Sequence, residues 1–79
     1  MAKKKFWTAP SRNNNFTFYS YGERDDQGII DPAGAVTVAP DGERPRWVSS
    51  GDSKGTADDV PQAMLAVETF VRLKEEGKL

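Results

Sequence analysis

The chain has 79 residues, with neither cysteine nor histidine, and its 11 basic against 12 acidic side chains give a net charge of −1. This length predicts one domain over residues 1–79, with a small core. The missing residue types exclude disulfides, thiolate or imidazole zinc sites, and Ser-His or Cys-His catalytic pairs. The charge balance is unlike that of proteins that bind nucleic acid by bulk phosphate neutralisation.

The N-terminal segment is basic, but it has few apolar residues. After Lys5 only Phe6, Trp7 and Thr8 precede Ala9 and Pro10, so no signal peptide is predicted. No apolar run approaches the roughly 18 residues of a membrane span. We therefore expect a cytoplasmic protein (in the host cell if it is phage-encoded) with no membrane partner, and we expect residues 1–5 to be disordered.

Aromatic and β-branched residues predict a three- to four-stranded antiparallel sheet before residue 50. The first of four strands would run from Lys5 to Thr8 and stop at Pro10, and the three-strand alternative leaves the N-terminus disordered. Residues 16–21, Phe-Thr-Phe-Tyr-Ser-Tyr, alternate with a period of two, which is typical of a strand. Phe16 and Phe18 share one face, and Tyr19 and Tyr21 share the other. The Phe face is predicted to line the core, because a tyrosine can keep its hydroxyl in water.

Glycine and proline divide the rest of this region. Residues 22–34 are polar and acidic and predict a long loop, and residues 11–15 and 51–56 predict a turn and a flexible connector. Residues 35–49 predict a hairpin around the turn Pro40-Asp41-Gly42-Glu43. Its return strand is predicted over Arg44 to Ser49. Because Pro45 has no N–H to donate, this strand is either an edge strand or begins only at Arg46.

Residues 59–76 predict one amphipathic helix. Asp58 or Asp59 is the predicted N-cap, Pro61 lies in the first turn, and Gly77 ends the helix. Leu65 points away from the apolar stripe that is expected to cover the sheet. The resulting fold class is α+β: a small two-layer domain with a C-terminal helix. The stripe consists of Val60, Ala63, Met64, Val67, Phe70 and Val71.

No spacing of acids, nucleophiles or glycines matches a catalytic, metal-binding or phosphate-binding motif. We therefore expect no enzyme, no cofactor and no metal. The predicted binding surface combines the open Tyr face, basic residues of the hairpin, an acidic loop that could occupy a basic groove on a partner, and one exposed leucine. Its candidate residues are Tyr19, Tyr21, Arg44, Arg46, Asp25, Asp26 and Leu65.

The opening Lys4-Lys5-Phe6-Trp7, followed by a polar gap and an alternating strand, resembles the start of two phage protein types. These are small inhibitors of host RNA polymerase and the prohead protease, whose first strand ends like Tyr21-Gly22-Glu23. The strand-strand-strand-helix order is similar to the arm-site DNA-binding domain of phage-type integrases. These resemblances cover short parts of the chain and imply a phage or mobile-element context, without assigning a family.

The leading functional hypothesis is a small protein-binding protein, encoded by a phage or mobile element, that inhibits a host macromolecular complex. The alternative is a nucleic-acid-binding sheet module, either like an integrase arm domain or a single-strand binder. A phage structural or assembly protein is the third hypothesis. We expect a monomer or a weak dimer.

Overall fold

The computed structural model describes residues 4–49 and 53–78. Within them the strands form one antiparallel sheet, and the helix packs across one side of it. The predicted α+β domain with a C-terminal helix is confirmed, but the sheet has six strands instead of three or four. In chain order the elements are β1 (Lys5–Trp7), β2 (Ser11–Asn13), β3 (Phe16–Arg24), β4 (Ile30–Val38), β5 (Arg46–Val48), β6 (Lys54–Thr56) and α1 (Val60–Glu75).

The two long strands, β3 and β4, form the centre of the sheet. On one side β4 pairs with β5 and β5 with β6, and on the other side β3 pairs with both β1 and β2. The break between β1 and β2 contains Pro10. There Thr8 donates its N–H to the Ser20 carbonyl over 2.8 Å and accepts the Ser20 N–H at Oγ1 over 3.0 Å. Thr8 therefore maintains the pairing where the edge strand is interrupted.

Three predictions about irregular segments are wrong. Residues 22–34 do not form a long loop, because β3 continues to Arg24 and β4 begins at Ile30. The turn between them is closed by Asp25 Oδ1, which accepts from the backbone N–H groups of Gln27 and Ile29 over 2.9 Å each. Residues 22–34 are polar because this end of the β3–β4 hairpin is largely exposed.

The segments predicted as a turn and as a connector contain the short strands β2 and β6. Their residues do not alternate between apolar and polar, so the sequence does not predict strands here. These segments are strands because they pair with β3 and β5. The predicted turn is correct for Asn14 and Asn15, which have φ values of 53° and 68°. The predicted first strand from Lys5 is confirmed by β1, so the predicted disorder is wrong for Lys5. Residues 1–3 and 50–52 lie outside the described part of the chain.

The ends of α1 confirm the predicted helix over residues 59–76. Asp59 is the N-cap, and its carboxylate accepts the backbone N–H of Gln62 over 2.9 Å. At the other end Gly77 has a φ of 75°, while the N–H groups of Gly77 and Lys78 donate to the carbonyls of Lys74 and Leu73. This is the hydrogen-bond pattern of a Schellman cap, so local sequence defines both ends.

The core lies between α1 and one face of the sheet. Val36 of β4 and Ala63 and Val67 of α1 are fully buried, and Val71 is 3% exposed. The ring of Trp47 stacks on Phe70 with centroids 5.2 Å apart, as expected for a tryptophan that covers a small core. The half-buried side chains packed around this centre include Trp7, Tyr19, Tyr21, Val38, Trp47 and Met64.

The predicted assignment of the two faces of β3 is wrong. Tyr19 pairs with Val36, which pairs with Trp47, so the tyrosines point toward the helix. Phe16 and Phe18 lie on the opposite face and are 38% and 37% exposed. The helix therefore covers the Tyr face and leaves the Phe face free.

An irregularity in β4 explains this inversion. The register between β3 and β4 shifts between Tyr21 and Gly22: Tyr21 lies opposite Gly34 and Gly22 lies opposite Pro32, so β4 has one more residue than β3 at this point. One inserted residue exchanges the faces of everything beyond it, because side chains alternate along a strand. Without the bulge Val36 would pair with Phe18 instead of Tyr19.

Candidate functional site

The side of the sheet away from α1 is the candidate functional surface, and we call it the open face. Cross-strand pairing defines it, because directly paired residues in an antiparallel sheet point to the same side. One row, for example, runs from Phe18 through Thr37 and Arg46 to Thr56. The strand residues of the open face are Phe6, Ser11, Asn13, Phe16, Phe18, Ser20, Gly22, Arg24, Ile30, Pro32, Ala35, Thr37, Arg46, Val48, Lys54 and Thr56.

Exposed aromatic and aliphatic side chains lie on the open face. The rings of Phe16 and Phe18 stack at an interplanar angle of 30°, with their centroids 6.3 Å apart. Val48 is 51% exposed two strands away. The small core of this domain thus leaves two phenylalanines outside it, although burying them would stabilise the fold.

The charged strand residues of the open face have one sign. Its strand residues include Arg24, Arg46 and Lys54 and no acidic residue, whereas Glu23 and Asp31 occupy the helix-covered face. These assignments concern the six described strands. The open face is therefore locally cationic although the chain as a whole is slightly acidic.

Cations on the two sides of the sheet differ in their partners. Lys5 forms an ion pair with Glu75 and Arg44 with Asp58, both toward the helix. In contrast, neither Arg24 nor Lys54 forms an ion pair with the residues that the structure describes.

Phe6 of the open face interacts with two cations. The guanidinium carbon of Arg24 lies 4.5 Å from the centroid of the Phe6 ring, and Lys4 Nζ lies 5.8 Å from it. Both distances are within the range of cation–π attraction. Such an interaction leaves the positive charge available to an external anion.

A cavity of about 330 Å³ lies at the end of the open face near Phe16. The hairpin turn forms its rim, where Asp41 Oδ1 accepts the Glu43 backbone N–H over 3.1 Å. The side chains of Glu43 and Arg46 are 3.4 Å apart and largely exposed. Its lining residues are Phe16, Thr37, Ala39, Asp41, Glu43, Arg44 and Arg46.

The structure disperses the candidate residues that were chosen from the sequence. Only Arg46 lies on the open face, and Arg44 borders the cavity while its Nη2 donates to Asp58 over 2.5 Å. Asp25 closes its own turn, and Asp26 is exposed beside it. Leu65 is 64% exposed on α1, as predicted, and therefore lies on the helix side of the domain.

Tyr19 and Tyr21 lie in the helix-covered layer and not on an open surface. The Tyr21 ring packs against Trp7 with centroids 4.8 Å apart, and Trp7 Nε1 donates to Glu68 over 2.9 Å. Burial raises the pKa of Tyr21, as do the carboxylates of Glu68 and Glu75, while Lys5 lowers it. These contacts tie β1 and β3 to the helix.

Sequence reasoning missed Phe6, Phe16, Phe18, Arg24 and Lys54 as surface residues. The alternating pattern of β3 did separate Phe from Tyr, but it carried no information about which set faces the helix. Arg24 and Lys54 were missed because their segments were predicted to be irregular.

Among the described residues, no group of three or more His, Cys, Asp or Glu side chains is placed to hold a metal ion. Within the same residues, no helix has the length and apolar character needed to cross a membrane. Comparison of the chain with protein-family models, with curated proteins and with solved structures finds no match in any of the three.

Proposed function

We propose that this protein is a small non-enzymatic module that binds single-stranded nucleic acid on its open face. The observation that carries the proposal is that the described strand residues on one free side of the sheet include three phenylalanines, three cations and no acid. Single-strand binders use this chemistry: bases stack on aromatic rings while basic side chains follow the phosphates.

The net charge of −1 is compatible with this function because the acidic residues of the described strands lie on the helix-covered face. Glu75 pairs with Lys5 on the helix side, Asp58 pairs with Arg44, and the one described ion pair of an open-face strand residue is the exposed contact of Arg46 with Glu43. Three cations that contact phosphates predict a slope of about −2 for log K against log salt concentration with a single strand. Binding is therefore expected to be modest and to depend on stacking as much as on charge.

The test is fluorescence anisotropy with a labelled oligodeoxythymidine of about 12 nucleotides, within the range of known sheet-surface sites. We expect binding at low salt that weakens as salt is added. The double variant Phe16→Ala/Phe18→Ala should bind at least about fivefold more weakly, since a stacked base contributes about 1–3 kcal/mol.

Two further variants control this experiment. Leu65→Ala removes an equally apolar, exposed side chain from the helix and should bind like the wild type. Lys54→Gln should reduce the salt slope by about 0.7, the contribution of one phosphate contact. No salt-dependent binding, or a Phe16→Ala/Phe18→Ala variant that binds like Leu65→Ala, would refute the proposal.

The second candidate function is protein binding, including inhibition of a host complex by a phage-encoded protein. The observation that favours it is the exposed apolar group of Phe16, Phe18 and Val48 beside Arg46, since such patches mark protein interfaces. A host partner that is recovered by the wild type and lost with Phe16→Ala/Phe18→Ala, without nucleic acid in the complex, would favour this function.

The same surface bears on oligomeric state and location. Two copies joined through their open faces would bring like charges together, so we propose a monomer or a weak dimer. Size-exclusion chromatography with light scattering tests this, and a stable large assembly would instead support a structural role. We also propose a cytoplasmic location, where single-stranded nucleic acid is accessible.

A further inference from the structure

The cavity beside Phe16 is lined by one phenylalanine, two arginines and two acidic residues, and it lies at the end of a sheet face whose charged strand residues are cationic. We propose that it holds one base of the bound strand and selects bases that carry an exocyclic amino group. This inference rests on the proposed function. Elsewhere on the open face bases would bind only by stacking and phosphates only by charge, so the cavity would add selectivity among bases.

The position of Glu43 is the reason for this assignment. A carboxylate beside a nucleic-acid backbone repels phosphates, so an acid at this rim weakens binding unless it contacts a hydrogen-bond donor on the ligand. The exocyclic amino group of cytosine is such a donor, and Glu or Asp accepts from it in base recognition. Uracil has a carbonyl oxygen at the same position, which a carboxylate repels.

Neighbouring contacts leave Glu43 available for a base. Arg44 is directed away, because its Nη2 donates to Asp58 over 2.5 Å and its Nε to the Ala57 carbonyl over 3.4 Å. The remaining partner, Arg46, is 3.4 Å from Glu43, and the two side chains are 70% and 53% exposed. An exposed pair of this length stabilises little, so a ligand can replace it at low cost.

The turn also holds Glu43 at the cavity. Asp41 accepts the backbone N–H of Glu43, and Gly42 between them has a φ of 82°, which favours glycine. Phe16 is among the residues that line the cavity of about 330 Å³. A base stacked on Phe16 would therefore present its edge toward the rim carboxylates, with Arg46 beside the adjoining phosphate.

The experiment compares oligodeoxycytidine with oligodeoxyuridine of equal length, about 12 nucleotides. These strands have the same backbone and similar pyrimidine rings, and they differ at the base edge. We expect wild-type protein to bind oligodeoxycytidine at least about fivefold more tightly, the lower limit for one well-formed base contact. Glu43→Ala should reduce this ratio to about 1, while Asp26→Ala, an exposed acid in the distant turn, should leave it unchanged.

The outcomes separate this inference from the function on which it rests. Equal binding of both strands, still dependent on salt and on Phe16 and Phe18, overturns the base selectivity and keeps the proposed function. Binding of neither strand overturns both. A preference for oligodeoxycytidine that persists in Glu43→Ala overturns the role of Glu43. If Asp26→Ala also abolishes the preference, the effect comes from the overall charge of the protein, which likewise overturns the role of Glu43.

Discussion

Replacing Gly34 with alanine tests which face of the sheet the helix covers. Gly34 lies on β4 opposite Tyr21. A Cβ added there would come within 2.5 Å of Val67 Cγ1 and 2.9 Å of the Val48 carbonyl oxygen. The first contact requires the Val67 side chain to move within the core. The second is with the backbone of the neighbouring strand β5.

The sign of the stability change distinguishes the two arrangements. On an uncovered face Gly34→Ala would stabilise the protein by about 0.4–1 kcal/mol, because alanine restricts the unfolded chain. Beneath the helix, overpacking costs about 1–3 kcal/mol. Because both contacts are shorter than normal and one is with backbone, the overpacking cost should lie toward the upper part of that range. We therefore expect a net loss of roughly 1–2 kcal/mol.

Urea denaturation followed by tryptophan fluorescence measures this change, since Trp7 and Trp47 both pack around the core. Val67→Ala alone should destabilise by about 2 kcal/mol, from two buried methyl groups at about 0.8 each plus a small cavity. The double variant should cost at least about 1 kcal/mol less than the sum, because the shortened side chain admits the new methyl group. A neutral or stabilising Gly34→Ala, or strict additivity, would contradict the packing described here.

Three further predictions concern the helix cap, the bulge and alkaline pH. Asp59→Ala should lower the free energy of unfolding by about 1 kcal/mol in urea denaturation through loss of the N-cap, whereas Asp58→Ala, which removes an exposed ion pair, should change it by less than about 0.5. Gly22→Ala should largely prevent folding as judged by circular dichroism, because its Cβ would lie 1.9 Å from the Asp31 carbonyl oxygen; a cooperative melt like that of the wild type would refute this. Burial and the neighbouring Glu68 raise the pKa of Tyr21 above its ordinary 10.0, so its stabilising contribution is fully present below about pH 10 and is lost as the pH rises through the folded-state pKa. Urea midpoints at increasing alkaline pH should therefore fall less steeply in Tyr21→Phe than in the wild type.

The helix and the fold class could be predicted from sequence because their signals are local. Asp59, Pro61 and Gly77 mark the ends of α1 through contacts within a few residues. The apolar spacing between them identifies the side that must be buried. Leu65 was correctly placed outside that side for the same reason.

Strand boundaries were less predictable because pairing partners determine them. The polar ends of β3 and β4 extend together to the turn closed by Asp25. Lys54–Thr56 becomes a strand by pairing with Arg46–Val48. Each segment has one β-branched residue, Ile30 or Thr56, and no aromatic residue, so neither has the run by which a strand is recognised in isolation.

Only the tertiary structure determined which face of β3 is free. The alternation of Phe and Tyr divides this strand into two aromatic faces of similar character, and either could pack against the helix. The extra residue at Ala33 aligns Val36 with Tyr19 and so commits the tyrosines to the core. A single bulge exchanges the faces on which the residues beyond it lie. The free aromatic residues of β3 are therefore Phe16 and Phe18, and not Tyr19 and Tyr21 as the sequence predicted.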